Sequence, residues 1–424
     1  MTLEARTQSP APSRARSAKR RAKPAWTELR RHGEGYAEST LVHGDNLDVL
    51  RAMRDEYAGR FSCIYIDPPF NTGRRFEQYD DARPSEAWVE MMRPRLEAMA
   101  PLLADDGALF AEIDDTQLAH LQLLCDRVFG AHNRVSTVTV VRSAATGHKA
   151  INAGPVHVTD FLLIYARDRK KWRYRAQKRP REGMDRAYGT WLDDPDAPRE
   201  SWTFRPLRSA AAEHHGYTSS REATRDLGAP EWTRRVEAFA LAHARHVVRF
   251  AQPRYDAIAR AAQRLVDASR GAPDRVMWMA RPGRPDFILK GGNRILFLAD
   301  KVADVDGRPS VVEPLTNVWD DIPFQGIARE GGVVFSRNKK PERLLERVIA
   351  MSTSPRDWVL DPFAGSGTTL AVASKMGRRW FGIESGAHAL TMCEPRLERV
   401  LAGRDVSGVR PGAAPRGGFR VVRA

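Results

Sequence analysis

Short apolar runs that alternate with amphipathic stretches, beginning at Leu41, constrain the fold of this chain more than any other feature. Phe61–Ile66 (FSCIYI) and the run 108–113 (ALFAEI) predict buried strands, and Ser85–Leu103 between them spaces its apolar residues as a helix does. Strands that alternate with helices pair in parallel, and the helices cover both faces of the sheet. The pattern therefore predicts an α/β fold of Rossmann-like type with a mostly parallel sheet.

The alternation of strands and helices is interrupted over residues 170–310, where Arg and Lys mix with aromatic residues. We expect a disordered basic arm at 1–35 and a flexible tail at 404–424, because both are rich in Arg, Pro or Gly and poor in apolar periodicity. The divided α/β domain is then predicted at 36–169 and 311–403, with an insertion at 170–310.

The balance of charge favours an anionic partner. The chain has 68 Lys and Arg against 53 Asp and Glu, a formal net charge of +15, which favours phosphate contacts with nucleic acid. The alternative is a generally Arg-rich surface. No apolar run reaches the roughly 18 residues of a membrane span, and the N-terminal stretch has no apolar signal segment. We expect a cytoplasmic protein, nucleoid-associated through its nucleic acid partner, without membrane contact.

The cysteines and histidines do not predict a metal site. Cys63, Cys125 and Cys393 are scattered, so their spacing implies neither a disulfide framework nor a zinc site. Two histidine pairs in the insertion lack Cys or carboxylate residues at the spacing of metal ligands. We expect no metal.

A glycine-rich turn joins a strand to a helix in Asp361–Thr369 (DPFAGSGTT). Gly365 and Gly367 allow backbone N–H groups to approach a ligand at the helix N-terminus. A phosphate-binding loop needs a Lys before the Ser/Thr, and the dinucleotide fingerprint needs a glycine where Leu370 stands, so both are poorly matched. Glu384 ends the next strand, where a carboxylate can accept both hydroxyls of a ribose. The turn is therefore either structural or a site for a nucleoside without phosphates, such as S-adenosylmethionine.

A second motif, Asp67-Pro68-Pro69-Phe70, directly follows the apolar run 61–66. The Asp67 carboxylate and the Pro68 carbonyl are two acceptors that can bind both N–H groups of an exocyclic amino group and direct its lone pair toward an electrophilic methyl. The prolines fix the backbone and offer no competing N–H. Phe70 offers a ring on which an extruded base can stack. The alternative is an ordinary turn that ends a strand.

Asp67–Phe70 and Asp361–Thr369 together resemble the two signature motifs of the amino-methyltransferases of DNA. Their order, with the catalytic motif first and the cofactor motif last, is similar to that of the β class. The similarity extends to the methylase (Mod) subunits of type III restriction–modification systems and their stand-alone relatives, in stretches such as LVHGDNLDVL, HVTDFLLIYAR and FSRNKKPERLLERVIAMST. It covers nearly all of the chain outside the tails and the insertion. Phe70 stands where Tyr is commoner, and the insertion is compact for a type III subunit.

The resemblance implies a seven-stranded, S-adenosylmethionine-dependent methyltransferase sheet with a catalytic half at 36–169 and a cofactor-binding half at 311–403. In the catalytic half, Asp67, Pro68, Pro69 and Phe70 would hold the target base. Asp45 would lie beside the adenine of the cofactor, Glu384 at its ribose and Lys340 with Pro341 at its carboxylate. The complete set of cofactor-binding residues implied is Asp45, Lys340, Pro341, Asp361, Phe363, Ala364, Gly365, Gly367, Thr368 and Glu384.

The insertion at 170–310 fits a target-recognition region, because its interleaved Arg and aromatic residues suit contacts to phosphates and base edges. The alternative is a basic surface over a small independent core. The candidate DNA-binding residues are Arg173, Tyr174, Arg175, Trp202 and Arg205.

Together these patterns predict a site-specific DNA methyltransferase that flips adenine from duplex DNA and methylates its N6 amino group. One alternative is methylation of cytosine N4, since the same acceptors serve both bases; Asp at position 67 favours adenine by the habit of the family. The other is a DNA-specificity subunit of a restriction complex that has lost catalysis. The resemblance allows two protein partners, a restriction (helicase–nuclease) subunit and a second copy of this chain.

Overall fold

A computed structural model describes residues 26–33, 37–71, 84–144, 154–305, 307–333, 339–410 and 417–424. The chain divides into two compact units. The main unit comprises Met1–Gln177 with Thr316–Ala424, and the inserted unit comprises Lys178–Leu315. In the described ranges, no helix has both the length and the apolar character needed to cross a lipid bilayer.

Strands are numbered β1 to β19 in chain order. The main unit contains β1 (Thr27–His32), β2 (Ala37–His43), β3 (Phe61–Ile66), β4 (Leu103–Ile113), β5 (Arg134–Val141), β6 (Thr159–Ala166), β16 (Val318–Trp319), β17 (Trp358–Asp361), β18 (Arg379–Glu384) and β19 (Gly418–Arg423). The inserted unit contains β7 (Lys178–Pro180), β8 (Thr190–Leu192), β9 (Phe204–Pro206), β10 (Val247–Ala251), β11 (Val276–Arg281), β12 (Arg284–Lys290), β13 (Asn293–Phe297), β14 (Val302–Val305) and β15 (Arg308–Pro314).

Helices are numbered α1 to α11 in the same way. The main unit contains α1 (Asn46–Ala52), α2 (Arg54–Tyr57), α3 (Ser85–Met99), α4 (Leu118–Cys125), α9 (Glu342–Ser352), α10 (Thr368–Lys375) and α11 (Glu394–Leu401). The inserted unit contains α5 (Leu207–His214), α6 (Ser220–Leu227), α7 (Ala229–Ala242) and α8 (Arg260–Gly271).

The main unit is built on one sheet with the strand order β1-β19-β2-β18-β17-β3-β4-β6-β5-β16. Strands β19, β2, β18, β17, β3 and β4 are parallel to their neighbours in this series, and β16 is parallel to β5. Strand β6 is antiparallel to β4 and β5, and β1 is antiparallel to β19. The prediction of an α/β fold with a mostly parallel sheet is therefore confirmed. The sheet has ten strands rather than seven, because β1 and β19 extend one edge and β16 the other.

Burial on both faces explains the apolar runs in the central strands. In β3 every side chain except that of Ser62 is buried, as expected for a parallel strand covered on two sides. Helix α3 covers one face: Trp88, Met92, Leu96 and Met99 recur every three or four residues, and all four are buried. Strand β3 and helix α3, each predicted from the spacing of its apolar residues, therefore bury their side chains in the same core.

The two ends of the described chain correct the predicted arm and tail. Residues Thr27–His32 and Gly418–Arg423 form β1 and β19, which pair with each other, and β19 also pairs with β2. The tail prediction is wrong for β19 because Phe419, Val421 and Val422 are buried in the sheet, so apolar burial compensates the ordering of a Gly- and Arg-rich stretch. The arm prediction is likewise wrong for β1, and residues 1–25 lie outside the described residues.

The inserted unit begins and ends later than the predicted insertion at 170–310, at residues 178 and 315. Residues 170–177 belong to the main unit, where the Arg175 N–H donates to the Met351 carbonyl at 3.0 Å. The inserted unit contains a six-stranded sheet of order β11-β12-β13-β10-β8-β9, in which every pairing is antiparallel, and a three-stranded sheet of order β14-β15-β7. Helices α5 and α7 enclose one apolar core with β8 and β10, and α8 encloses another with β12.

The order in which the chain adds strands to the main sheet changes direction between β17 and β3, which are parallel neighbours with Leu360 opposite Ile64. From β17 the chain continues through α10 to β18 on one side, and from β3 it continues through α3 to β4 on the other. Such a switch point leaves a crevice at the carboxyl ends of the strands, where ligands bind in open α/β sheets. The two motifs found in the sequence begin at this crevice.

Candidate active site

A cavity of about 280 Å³ lies at the carboxyl ends of β3, β17 and β18. It brings together twelve residues that the sequence predicted for the site: Asp45, Asp67, Pro68, Pro69, Phe70, Lys340, Asp361, Phe363, Ala364, Gly365, Thr368 and Glu384. Two more predicted residues, Gly367 and Pro341, do not line it; they are the N-cap residues of α10 and α9. Further lining residues that were not predicted include Asn46, Tyr65, Met91, Arg95 and His388.

The glycine-rich turn forms one wall of the cavity. Gly365 and Gly367 have φ angles of +51° and +77°, a left-handed conformation that residues with a side chain seldom adopt. A Cβ atom on Gly367 would lie 2.5 Å from Cys393 Sγ, so this position also lacks space for a side chain. Glycine thus allows the backbone to turn tightly between β17 and α10, beside the cavity.

Glu384, at the end of β18, is held as an ionised carboxylate. Its Oε2 atom accepts the Gly365 N–H at 2.9 Å, and its Oε1 atom accepts the Gly386 N–H at 2.8 Å and lies 3.2 Å from His388 Nε2. Burial raises the pKa of Glu384, but these interactions outweigh burial and hold the pKa below its usual value. Glu384 correspondingly raises the pKa of His388. An ionised acceptor in the wall of the cavity suits the hydroxyls of a ribose.

Asp361 and Asp45 have contacts that fix the backbone around the cavity. Asp361 Oδ1 accepts the Phe363 N–H at 2.9 Å, and burial raises the Asp361 pKa to about 7 even though this bond opposes the change. Asp45 caps α1 by accepting the Leu47 N–H at 2.8 Å, and its other oxygen lies 3.3 Å from the Arg95 guanidinium. Both carboxylates line the cavity and also support its shape.

The catalytic motif predicted from the sequence is fixed by its neighbours. Strand β3 ends at Ile66, and the Trp88 indole N–H of α3 donates to the Pro69 carbonyl at 2.7 Å. Phe70 packs against the main core and lies beneath the Lys340 ammonium, which is 4.6 Å from the centre of its ring. The motif is therefore held from both sides, as a preorganised binding edge requires.

Two buried carboxylates near Asp67, those of Glu112 and Asp160, were not predicted from the sequence. Lys340 Nζ lies 2.7 Å from Glu112 Oε1, 3.3 Å from Asp67 Oδ1 and 3.8 Å from Asp160 Oδ2. The Tyr65 hydroxyl donates to the other oxygen of Glu112. Glu112 and Asp160 sit within the apolar stretches of β4 and β6, and a carboxylate inside such a stretch is the signal that could have marked them.

The predicted DNA-binding residues are divided between the two units. Arg173, Tyr174 and Arg175 belong to the main unit, whereas Trp202 and Arg205 belong to the inserted unit. The Trp202 indole N–H donates to the Ala197 carbonyl, and Arg205 pairs with Asp193 and Glu213. Each unit must therefore be considered separately as a surface for DNA.

One face of the six-stranded sheet in the inserted unit presents aromatic residues beside cations. The side chains of Phe250 and Trp278 are exposed. The Arg199 guanidinium lies 5.3 Å from the centre of the Trp278 ring, and Lys290 Nζ lies 6.0 Å from the centre of the Phe204 ring. Sequence reasoning missed this surface because its members come from four separate segments. Among the described residues, no group of His, Cys, Asp and Glu could hold a metal ion.

Comparison with known proteins gives a family match. A family model described as DNA methylase matches residues 61–226 and 299–394. The chain is 27% identical, over an alignment of 424 positions, to a protein of Haemophilus influenzae named as a probable type III restriction-modification enzyme HindVI Mod subunit; the alignment covers 95% of this chain and 56% of that protein. It is also 27% identical, over an alignment of 371 positions, to the type III restriction-modification enzyme StyLTI Mod subunit of Salmonella typhimurium; this alignment covers 78% of this chain and 49% of that protein. The chain thus spans about half the length of these two relatives.

A further relative and a solved structure have lower sequence identity to this chain. The chain is 24% identical over 399 residues to the type II methyltransferase M.EcaI of Enterobacter cloacae, covering 90% of this chain and 75% of that protein. A crystal structure of an M1.HpyAVI-SAM complex superposes with a TM-score of 0.40 at 12% identity, covering 84% of this chain and 98% of that one.

Proposed function

Because the chain belongs to the DNA methylase family, we propose that it is a site-specific DNA methyltransferase that transfers a methyl group from S-adenosylmethionine to the N6 amino group of adenine in duplex DNA. The observation that carries this proposal is the convergence of two distant motifs. Asp67–Phe70 and Asp361–Glu384 line one cavity at the switch point of the sheet. One supplies acceptors for an amino group, and the other supplies a glycine turn and a ribose acceptor.

The side of the cavity formed by the glycine turn and Glu384, called the cofactor wall below, fits a nucleoside that carries no phosphate. The Glu384 carboxylate can accept ribose hydroxyls, and the wall contains no Lys or Arg from the glycine turn itself. Asp45 and Met91 line the same cavity and would lie near the base, while Phe363 and Ala364 would contact the methionine part. S-adenosylmethionine would supply a methyl group on positively charged sulfur, the electrophile that the reaction needs.

Asp67 and Pro68 would activate the target. The lone pair of an exocyclic amino group is delocalised into the ring, so the group is a weak nucleophile. Hydrogen bonds from its two N–H groups to the Asp67 carboxylate and the Pro68 carbonyl would turn that lone pair toward the methyl group. As the N–C bond forms, the S–CH3 bond would break and leave a neutral thioether, and the methylated nitrogen would then release one proton to water, so the base remains neutral. Orientation and electrostatics then account for most of the rate.

Phe70 would receive the base after it leaves the duplex. An enzyme that modifies a base must rotate the base out of the stack, and an aromatic ring in the active site compensates part of the lost stacking. The Phe70 ring lines the cavity and packs against the core, and the Lys340 ammonium lies 4.6 Å from its centre. We infer that it forms the floor of the base pocket.

The inserted unit would read the DNA sequence. Its exposed Phe250 and Trp278, with Arg199 and Lys290 against aromatic rings, combine apolar contact with positive charge. Such a surface suits phosphate and base contacts better than the internally paired Arg205 does. The names of the relatives place them in restriction-modification enzymes, and we propose a restriction subunit and a second copy of this chain as protein partners.

Sequencing of genomic DNA tests this proposal directly. The chain is expressed in a host without DNA methylation, and single-molecule sequencing then locates modified bases. We expect one short sequence motif to carry N6-methyladenine. Modification of cytosine at N4 would overturn the assignment to adenine, and an unmodified genome despite soluble, cofactor-binding protein would overturn the proposed activity in favour of a DNA-binding role.

Replacement of Glu384 tests the cofactor wall. Glu384→Ala is expected to weaken S-adenosylmethionine binding by about ten- to a hundredfold, because hydrogen bonds to an ionised acceptor are worth about 1.5–3 kcal/mol. Calorimetric titration of the purified protein measures the affinity. Asp105→Ala is the matched control. This exposed carboxylate lies near the start of β4, away from the carboxyl ends of the strands where the cavity lies, and it pairs with Lys171. Equal affinities in wild type and Glu384→Ala would contradict the assignment.

A further inference from the structure

Lys340 is enclosed by carboxylates beside the cavity. Its ammonium lies between Glu112 on β4, Asp160 on β6 and Asp67 after β3, all within 4.0 Å. The Lys340 side chain is only 9% exposed. An ammonium has three N–H donors, and three carboxylates of the protein surround this one. The contacts therefore engage Lys340 with the catalytic motif, whereas the family resemblance assigns it to the carboxylate of the cofactor.

The surrounding residues fix Lys340 in place. Glu112 is fully buried and also accepts the Tyr65 hydroxyl. Asp160 is 1% exposed and lies 3.3 Å from the Arg142 guanidinium. Pro341, next in the chain, caps α9 and restricts the backbone of Lys340. These supports leave the ammonium in contact with Asp67 at the wall of the cavity.

We infer that Lys340 is a positioning residue for the methyl-transfer step: it orients the Asp67 carboxylate and favours its ionised form. This inference rests on the proposed function, since it concerns how Asp67 receives the amino group. An ionised carboxylate only accepts hydrogen bonds, whereas a protonated one presents a donor toward the N–H groups of the base. Lys340 thus favours the form of Asp67 that can bind the target.

Asp67 lies near two other carboxylates, so its ionised form depends on the positive charge of Lys340. Burial raises the pKa of Asp67 to about 8, Lys340 opposes this change, and the neighbouring carboxylates Glu112 and Asp160 add to it. Burial alone would lower the pKa of Lys340, but the same three carboxylates outweigh burial and raise it, so the ammonium stays charged. Arg142, which is near Asp160, is the other cation of the cluster. Three carboxylates thus face two cations.

Two further groups complete the surroundings of Asp67 and Asp160. Burial keeps the pKa of Tyr65 well above its ordinary value, so its hydroxyl is neutral. Asp114, beyond the end of β4, adds negative charge near Asp160. Removal of Lys340 would leave the carboxylates with Arg142 alone, and the pKa of Asp67 would then rise further above neutral pH.

The sign of the pH effect follows. If transfer needs ionised Asp67, the rate falls as the pH drops through the Asp67 pKa. Lys340→Met removes the positive charge, so this acid limb is expected to move to higher pH by about one to three units. Glu112→Gln removes a neighbouring negative charge, so the limb is expected to move to lower pH. A purely structural role for Lys340 would not give opposite shifts in these two variants.

The experiment measures single-turnover methyl transfer from about pH 6 to pH 10, together with S-adenosylmethionine affinity by calorimetry. We expect Lys340→Met to lose about tenfold or more of the rate at neutral pH, to recover at high pH and to bind the cofactor as wild type does. Lys340→Arg, which keeps the charge, should return the limb toward its wild-type position. The double variant Lys340→Met/Glu112→Gln removes one positive and one negative charge, so the net charge of the cluster is that of wild type. It takes the place of Lys340→Met in the measurement if Lys340→Met does not fold.

Loss of cofactor affinity in Lys340→Met with an unchanged acid limb would overturn the inference and support the cofactor role. An acid limb that is unmoved in Lys340→Met, or in the double variant relative to Glu112→Gln, would also overturn it. Failure of the proposed function gives a different result: wild type would transfer no methyl group at any pH.

Discussion

Replacement of Asp67 with alanine is expected to slow methyl transfer by about a hundred- to a thousandfold, the usual effect of removing one preorganised hydrogen-bonding group from a reacting centre. The Asp67 side chain borders the cavity and is 21% exposed, so it can reach the amino group of a bound base. Single-turnover transfer of labelled methyl groups to cognate DNA measures the effect. Cofactor affinity should remain that of wild type, because the proposed cofactor wall lies on β17 and β18.

Two controls make the Asp67 result specific. Asp67→Asn keeps one acceptor oxygen at the same place but loses the charge, so we expect a smaller loss than for alanine. Thermal unfolding should show that Asp67→Ala is as stable as wild type or more stable, because its removal leaves two carboxylates, Glu112 and Asp160, opposite two cations, Lys340 and Arg142. A fall in rate of less than about tenfold in Asp67→Ala would contradict the mechanism.

Replacement of Glu342 with alanine is expected to destabilise the main unit by about 3–5 kcal/mol, because it leaves buried cations without their shared partner. Glu342 is fully buried and accepts hydrogen bonds from Lys375 Nζ at 2.8 Å, Arg396 at 2.7 Å and the Val409 N–H at 3.0 Å. Lys375 and Arg396 are themselves fully buried. Urea unfolding followed by circular dichroism measures the change.

The same variant should affect the cofactor wall. Arg396 also donates to Thr368 Oγ1 at 2.8 Å, so loss of Glu342 frees the guanidinium that steadies the start of α10. We expect cofactor affinity to fall along with stability. Glu346→Ala is the matched control on the same helix: Glu346 pairs with Arg343 at the surface, and such pairs contribute about 0–1 kcal/mol. Similar destabilisation in both variants would show that burial of Glu342 is not the cause.

The sequence predicted the parts of the site that follow local rules. Asp67 and Glu384 each end a strand, and Gly365 and Gly367 mark a turn into a helix, so their positions at one edge of a parallel sheet follow from short patterns. The parallel core and its apolar runs follow from the same kind of information. Short patterns therefore suffice to bring both motifs to one crevice.

The buried charges could not be predicted in this way. Glu112 and Asp160 lie within apolar strands, and Lys340 is more than two hundred residues from Glu112 in the chain. Only the folded sheet brings them within a few ångströms, so a pattern confined to one element cannot reveal the pairing. Strand β19 was missed for a related reason, since its burial depends on β1 and β2 from the other end of the sequence.

The adjacency of β3 and β17 affects the order in which parts of the chain can fold during synthesis. The two strands are neighbours in the sheet but are about 300 residues apart in the chain. At ribosomal rates of ~5–20 residues per second, β17 is synthesised roughly 15–60 s after β3. During that interval the inserted unit, which has apolar cores of its own, can fold while the nascent chain is still tethered. The proposed DNA-reading surface would then form before the proposed active site is complete, so the growing chain could bind DNA before it could modify it.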